Sequence, residues 1–242
     1  MIYTVTLNPA LDYIMYPNNL SVGEINRSAR ESLYFGGKGI NVSFILNELE
    51  IPSVATGFIA GFTGDALENA VSAFAKPDFV RLENGITRIN VKLRAENETD
   101  INAAGPEVSK ADINRLFERL EKVRAGDTVV LSGSVPKKMP ADIYENIMKK
   151  LSPRRVKFAV DAEGEALLKS LEFSPFLIKS NLEELSGIFK TEVTKQNVKI
   201  YAGKLLSLGA QNALVSMGKD GACLYGAGGE SLFMPAVSGK AV

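Results

Sequence analysis

Apolar and polar residues alternate along this chain with two different periods. Short apolar runs that end in a polar residue or glycine predict buried strands, and the stretches between them carry apolar residues at helical spacing. The predicted strands are 2–7, 128–131, 156–160, 176–178 and 213–215, and the residues that follow them are Asn8, Ser132, Asp161, Lys179 with Asn181, and Ser216 with Gly218. The predicted helical stripes are 42–49, 67–74, 143–151 after Pro140, and 198–206 before Gly209.

Buried strands that alternate with helices predict an α/β fold. The expected architecture is a three-layer sandwich in which a mostly parallel central sheet is flanked by helices. Ligands of such sheets bind beyond the carboxyl ends of the strands, so the polar residues that follow the strands form a candidate rim.

Two segments depart from this alternation. Residues 88–95 alternate strictly between polar and apolar, which is typical of a strand with one face of each kind. Residues 13–35 lack a helical stripe and are interrupted by Pro17 and Gly23. We interpret both segments as one small sheet, a lid or an interface; a pair of long surface hairpins is the alternative. The predicted division is an α/β core of residues 1–10, 36–85 and 105–242 and a β-lid of residues 11–35 and 86–104.

Composition narrows the function classes. Basic and acidic residues both number 28, so the net charge is zero, which argues against a nucleic-acid partner. Without a leader-like segment or a long apolar run, we expect no membrane partner and a cytoplasmic location. The absence of histidine excludes a Ser-His-Asp triad, a Cys-His pair and a histidine-ligated metal within these residues. Any metal would be a hard, oxygen-bound cation such as magnesium.

A glycine-rich run, Gly36-Gly37-Lys38-Gly39-Ile40-Asn41, opens the first predicted helix. Small residues let a ligand approach the backbone, and the N–H groups at a helix start favour an anion. Lys38 adds a positive charge, and Asn41 adds an amide donor and acceptor. The run predicts a cradle for a phosphorylated or polyhydroxylated small molecule; a tight turn before a helix is the alternative.

Three charged residues extend this candidate site. Asp12 follows the turn-forming pair Asn8-Pro9, and its carboxylate is suited to two adjacent sugar hydroxyls, with an ordinary turn or cap residue as the alternative. Arg27 and Arg88 lie in the two lid segments, where a guanidinium suits a phosphate dianion. Solvated charges on strand edges are the alternative for both arginines.

Two later loops form a second candidate site. Asn181 and Glu184 give the pattern N-x-x-E at a strand end and helix start, where an acidic group suits magnesium held through water beside nucleotide phosphates. The same spacing alone favours a helix-capping box. Ser216 and Gly218 belong to a glycine-rich loop suited to a nucleotide, with a β-turn as the alternative.

Taken together, seven motifs resemble the PfkB family of ribokinase-like carbohydrate kinases. Among its members they look most like 1-phosphofructokinases, and next like tagatose-6-phosphate kinases. In chain order the motifs are T-L-N-P-A-x-D, G-G-K-G-I-N-V, the glycine-rich stretch 57–65, T-R-I-N-V-K, L-S-G-S-x-P at 131–136, K-x-N-x-x-E and V-S-x-G-x-D-G. The match runs from residue 2 to about residue 235.

The resemblance implies transfer of the γ-phosphoryl group of ATP to a sugar-phosphate hydroxyl with Mg²⁺, fructose 1-phosphate becoming fructose 1,6-bisphosphate. It also implies a homodimer joined through the β-lid. Asp12 would hold sugar hydroxyls, and Arg27 and Arg88 would bind the phosphate already on the substrate. The resemblance assigns Gly36, Gly37, Lys38 and Asn41 to the sugar site and Asn181, Glu184, Ser216 and Gly218 to the ATP side, with Glu184 holding the metal through water.

Two departures from the family pattern affect these expectations. Ser180 replaces the proline usual in K-P-N, which should be mild. The family's base is the aspartate of a G-A-G-D motif, and these 242 residues contain no such motif. We therefore expect the base aspartate to lie beyond Val242, so that the chain holds no catalytic base. The expected molecule is a truncated kinase with negligible turnover, in which the C-terminal part of the fold is missing. The alternative hypothesis is a non-catalytic homologue that binds sugar phosphate.

Overall fold

The computed structural model describes residues 1–136 and 139–237, which form two compact units. The first unit contains residues 1–122, 133–136 and 139, and the second contains residues 123–132 and 140–237. The last five residues of the predicted core, 238–242, lie outside the described residues. They include Val242, the residue beyond which the base aspartate is expected, so that expectation stays a prediction.

The first unit combines a parallel sheet, a small second sheet and helices. Its strands are β1 (Ile2–Thr6), β2 (Ala10–Pro17), β3 (Ser28–Gly36), β4 (Ser53–Ala60), β5 (Lys76–Pro77), β6 (Val80–Leu82), β7 (Arg88–Arg94) and β8 (Glu98–Ile101), and its helices are α1 (Lys38–Glu48), α2 (Gly61–Val71) and α3 (Lys110–Leu120). Strand β4 pairs in parallel with β1, β5 and β6. The contact with β1 requires glycine at Gly57, because a Cβ there would lie 1.9 Å from the carbonyl oxygen of Thr6.

The small sheet has the strand order β3-β2-β7-β8. Strands β2 and β7 come from the two segments that were predicted to form the β-lid, and they pair directly in parallel. The prediction of one small sheet is therefore confirmed, and the alternative of two separate hairpins is wrong. The alternation predicted for β7 is also confirmed. Ile89 packs with Phe35 and Leu11 against the core of the unit, whereas Arg88 and Asn90 lie on the opposite face.

The apolar stripe predicted on α1 is wrong in its orientation. Ile45 and Leu49 are 56% and 63% exposed, and the helix buries Ser43 instead. The Ser43 hydroxyl shares hydrogen bonds with the Thr4 hydroxyl of β1 at 2.8 Å and the Ser53 hydroxyl of β4 at 3.0 Å. These buried hydroxyls satisfy one another, and their small size lets α1 approach the sheet closely. Ile45 and Leu49 are therefore turned towards solvent, whereas Ile40 of the same helix packs in the core of the unit.

The second unit contains a mixed sheet in the order β9-β10-β11-β12-β13-β14, whose first four strands are parallel. Its strands are β9 (Thr128–Ser132), β10 (Lys157–Asp161), β11 (Leu177–Asn181), β12 (Asn212–Ser216), β13 (Ala222–Gly226) and β14 (Ser231–Met234), and its helices are α4 (Ile143–Leu151), α5 (Gly164–Ser170), α6 (Leu182–Phe189) and α7 (Val198–Ser207). The α4 stripe is confirmed, since Ile143, Ile147 and Leu151 are all buried. Pro140 lies before the helix rather than in its first turn, because Asp142 is the N-cap residue.

The fold is therefore α/β, with mostly parallel sheets flanked by helices and a small second sheet, as the sequence predicts. No helix in the described ranges has both the length and the apolar character needed to span a membrane.

Candidate functional site

Asp12 lies on the polar face of the small sheet, and both of its carboxylate oxygens have a partner. Asn90, its register partner on β7, donates from Nδ2 to Oδ1 at 2.8 Å, and Nζ of Lys92 lies 3.0 Å from Oδ2. The side chains of Asp12 and Lys92 remain 23% and 25% exposed. A carboxylate has about four accepting positions, so Asp12 retains capacity for further donors such as hydroxyl groups.

Gly36 and Gly37 lead from this carboxylate to the start of α1. A Cβ on Gly36 would lie 3.5 Å from Oδ2 of Asp12, so the missing side chain leaves space beside that oxygen. Gly37 is the N-cap residue at φ +135°, and a Cβ there would lie 2.6 Å from Cγ2 of Thr6. Among the residues that the structure describes, no side chain caps α1, and the first turn of the helix has no acidic residue. The N–H groups of the first turn and the helix dipole therefore favour an anion at this point.

Lys38 and Asn41 lie in the first turn of the same helix. The Cβ of Lys38 lies 3.9 Å from the position that a Cβ on Gly133 would take, so the first unit brings Gly133 to the start of α1. The N–H of Asn41 donates to the carbonyl of Gly37 at 2.9 Å, and its side chain is exposed. A cation and an amide thus stand beside the glycine cradle.

Arg88 lies on the same face of β7 as Asn90 and is fixed through backbone carbonyls. Its Nε donates to Asn8 at 3.1 Å, and its Nη1 donates to Ala103 at 3.4 Å. Burial lowers the pKa of the Arg88 guanidinium, and the negative charge of Asp12 opposes that change. Asp12 and Arg88 therefore place a carboxylate and a cation on one face of the small sheet.

Arg27 stands apart from this cluster. It precedes β3 in the exposed connection from β2, and within the described part of the chain no hydrogen bond or ion pair links it to Asp12 or Arg88. The assignment of Arg27 to the phosphate stays a prediction.

In the second unit, polar residues end neighbouring parallel strands, as the candidate rim requires. Ser132 is paired in register with Asp161, and Asn181 is paired with Ser216. The Ser216 hydroxyl donates to the carbonyl of Ser180 at 3.3 Å. The carboxyl ends of β9 to β12 thus carry a continuous polar edge.

Asn181 and Glu184 form the capping box that their spacing favours. Oδ1 of Asn181 accepts from the N–H of Glu184 at 2.8 Å, and Oε2 of Glu184 accepts from the N–H of Asn181 at 3.0 Å. The Ser180 hydroxyl donates to the same Oε2 at 3.2 Å. This arrangement fixes the Glu184 carboxylate at the start of α6, and a capping role does not prevent it from meeting a ligand as well.

Gly218 follows β12 in an open loop. It has φ +57°, and a Cβ there would meet no atom of the described residues within 4 Å, so the loop leaves room above its backbone. Gly221 closes the same loop at φ +91°, where a Cβ would lie 2.1 Å from the carbonyl oxygen of Met234. Glycine is therefore required at Gly221 by packing, whereas Gly218 is open to solvent.

An acidic concavity of about 580 Å³ adjoins the capping box. The residues that line it are Glu163, Gly164, Asn181, Glu183, Glu184, Gly187 and Ile188. Three carboxylates are hard oxygen ligands of the kind that magnesium prefers, and they would repel a polyphosphate without a cation. Residues 1–136 and 139–237 contain no group of three or more acidic or cysteine side chains arranged to chelate a metal directly. The holding of a cation through water by Glu184 stays a prediction.

Sequence reasoning assigned no role to Asn90 and Lys92, although both belong to T-R-I-N-V-K. The strict alternation of β7 already put them on one face with Arg88. The sequence could not show that Asp12 lies opposite them, because that depends on which strand pairs with β7 and in what register, and the pairing is a tertiary property.

Comparison with known proteins identifies relatives across nearly the whole chain. Residues 5–242 match the family model described as pfkB family carbohydrate kinase. The chain is 43% identical over 232 residues to a 1-phosphofructokinase of Bacillus subtilis, covering 93% of this chain and 75% of the relative. It is 36% identical over 246 residues to a D-tagatose-1-phosphate kinase of Bacillus licheniformis, covering 100% of this chain and 80% of the relative. The crystal structure of Escherichia coli phosphofructokinase-2 in complex with fructose-6-phosphate superposes with a TM-score of 0.90 at 24% identity, covering 99% of this chain and 82% of that one.

Proposed function

Because the chain belongs to the pfkB family of carbohydrate kinases, which are phosphotransferases with a hydroxyl acceptor, we propose that its substrate is a ketose phosphate. The preferred reaction converts fructose 1-phosphate and ATP into fructose 1,6-bisphosphate and ADP. A sugar hydroxyl oxygen forms a bond to the γ-phosphorus of ATP, and the bond from that phosphorus to the β–γ bridging oxygen breaks. The hydroxyl proton needs a base, and the family resemblance assigns this role to the aspartate of a G-A-G-D motif, which these 242 residues do not contain.

The single observation that carries this proposal is that a carboxylate and a guanidinium, Asp12 and Arg88, lie on the same polar face of the small sheet. Asp12 accepts hydrogen bonds, as sugar hydroxyls require, and Arg88 offers a guanidinium that suits a phosphate already on the substrate. The uncapped start of α1, with Lys38, supplies further positive potential nearby. Phosphoryl transfer asks a protein mainly to align groups and neutralise charge, and these residues do both.

The position of the existing phosphate is inferred from the relatives. Two of them are named for fructose and tagatose substrates that carry the phosphate at position 1. We therefore favour a ketose 1-phosphate, with tagatose 1-phosphate as the second candidate, over tagatose 6-phosphate. A non-catalytic homologue that binds the same ligand remains the alternative from another functional class.

On the nucleotide side we assign Asn181, Glu184, Ser216 and Gly218 to ATP. The polar edge and the open loop at Gly218 suit a nucleotide, and Glu184 would hold Mg²⁺ through water. When bound, the cation would neutralise phosphate charge beside the acidic concavity.

We also propose that a homodimer forms through the small sheet. Leu33, Tyr13, Val91 and Ile101 form one row across its four strands on the face opposite Asp12. Leu33 and Ile101 are 47% and 59% exposed. A second copy would bury this apolar row, which is otherwise costly to hydrate.

Binding tests the substrate proposal directly. Calorimetric titration of the chain with fructose 1-phosphate should give saturable binding, and unphosphorylated fructose should bind far more weakly. Arg88→Ala should lower the affinity for fructose 1-phosphate about 10-fold or more and leave the affinity for fructose unchanged, because a charge-assisted hydrogen bond contributes roughly 1.5–3 kcal/mol.

Arg94→Ala is the matched control for this experiment. It removes an arginine from the same strand and face, but Arg94 forms an ion pair with Asp100 at 2.7 Å and lies away from Asp12. Absence of any fructose 1-phosphate binding by the wild-type chain, or equal loss in both variants, would contradict the proposed substrate class.

A further inference from the structure

Two side chains of β7 hold the Asp12 carboxylate. Asn90 occupies Oδ1 and Lys92 occupies Oδ2, so each oxygen has one protein donor and one remaining accepting position. The two donors are spaced two residues apart on the strand parallel to the one that carries Asp12. The rigid pairing of β2 with β7 therefore sets the orientation of the carboxylate.

Asn90 buries an amide oxygen that has no hydrogen-bond partner among the described residues, which a purely structural residue would not need to do. It is 7% exposed, and its Oδ1 is buried without a hydrogen-bond partner among the described residues. A buried acceptor left unsatisfied is destabilising, and such groups in native proteins call for an explanation. The donor Nδ2 on the same amide, directed at Asp12, provides that explanation.

Lys92 differs from its neighbour Arg94 in what it contacts. Arg94 forms ion pairs with Glu98 and Asp100 within the β7–β8 hairpin, far along the strand from Asp12. Lys92 instead reaches across to Asp12 on β2, and a quarter of its side chain remains exposed to solvent. It can therefore hold the carboxylate while the remaining accepting positions face a ligand.

We propose that Asn90 and Lys92 are positioning residues that orient the Asp12 carboxylate so that it accepts hydrogen bonds from two adjacent hydroxyls of the ketose phosphate. They act through Asp12 and do not contact the phosphate. The pair thereby sets selectivity for a sugar that carries both hydroxyls. This inference rests on the proposed function and adds two residues that determine its specificity.

The test compares ligands rather than absolute affinities. Fructose 1-phosphate and its 3-deoxy and 4-deoxy analogues are titrated into the wild-type chain, Lys92→Met and Lys92→Arg. Any general electrostatic effect on the phosphate is common to the three ligands and cancels in the affinity ratio. The wild-type chain should prefer the parent sugar by about 10-fold or more over at least one analogue, since a hydrogen bond to a charged group is worth roughly 1.5–3 kcal/mol.

Lys92→Met should reduce that preference to within about 3-fold, and Lys92→Arg should restore most of it, because either cation can hold Oδ2. Arg94→Met should retain the full preference. Asn90→Leu should also reduce the preference. If that variant does not fold, the variants of Lys92, whose side chain is partly exposed, still test the inference.

Three results would overturn the inference. One is an unchanged preference in Lys92→Met, and another is an equal loss of affinity for all three ligands, which would make Lys92 a phosphate contact. The third is a wild-type chain that binds the parent sugar and both analogues equally, since Asp12 would then not recognise hydroxyls. Failure of the wild-type chain to bind fructose 1-phosphate at all refutes the proposed function itself, and is distinguished from these results by the first titration.

Discussion

Replacing Gly36 with alanine should separate ligand binding from folding at this site. The new methyl group would lie 3.5 Å from Oδ2 of Asp12 and 3.9 Å from the carbonyl oxygen of Ala10. Both distances are ordinary van der Waals contacts, and Gly36 is not among the glycines with positive φ. The backbone therefore accepts alanine without strain, while the methyl group fills the space beside the carboxylate.

The two expected effects differ in size. We expect the free energy of unfolding to change by less than about 1 kcal/mol, as is usual for a substitution without strain or cavity. A hydroxyl that can no longer reach Oδ2 loses a hydrogen bond to a charged group, worth roughly 1.5–3 kcal/mol, so the affinity for ketose phosphate should fall about 10-fold to 100-fold.

Urea unfolding and calorimetric titration with fructose 1-phosphate measure the two quantities on the same preparation. Gly203→Ala is the matched control, because Gly203 lies inside α7 with open space around it. Alanine there should stabilise the chain by up to about 1 kcal/mol and leave binding unchanged. Wild-type affinity in a normally folded Gly36→Ala chain would refute the assignment of the space beside Asp12 to a ligand.

Three further predictions concern other parts of the molecule. Gly37→Ala should lower the free energy of unfolding in urea by roughly 1–3 kcal/mol, because φ is +135° and the new Cβ would lie 2.6 Å from Cγ2 of Thr6; unchanged stability would contradict that geometry. Asn181→Ala should lower the free energy of unfolding by about 1 kcal/mol, because the capping box with Glu184 is lost, and should weaken ATP binding measured with Mg²⁺. A loss of stability with unchanged ATP binding would show that Asn181 is a helix cap and not an ATP ligand. Leu33→Glu should shift the chain from dimer to monomer in sedimentation without altering sugar-phosphate affinity, and a monomeric wild-type chain would refute the proposed interface.

The sequence predicted the elements of this fold because burial leaves a periodic signature. The stripe of α4 and the alternation of β7 are both present in the structure as expected. The α1 stripe failed because periodicity records which residues are apolar, not which face meets the sheet. Here a hydroxyl network around Ser43 takes the inner face, and Ile45 is left in solvent.

The sequence predicted several residues of the candidate site but not their contacts. Asp12, Gly36 and Gly37 were identified from their residue types and turn positions, and the fold places them together at the start of α1. Their roles in binding remain predictions, as does the expectation of negligible turnover. Arg27 was grouped with Arg88 by residue type, by position in the two lid segments and by the family resemblance, and the described residues show no contact between the two arginines.

The amino-acid sequence by itself determined the class of fold, the family and the chemical kinds of group available for a phosphorylated sugar. Those properties depend on local periodicity and on residue types at short spacing, both of which are written in the order of the residues. Only the tertiary structure decided that Asn90 and Lys92 hold the two oxygens of Asp12. Asn90 and Asp12 lie 78 residues apart in the chain, and the register of two strands is set by the packing of the whole sheet against its core.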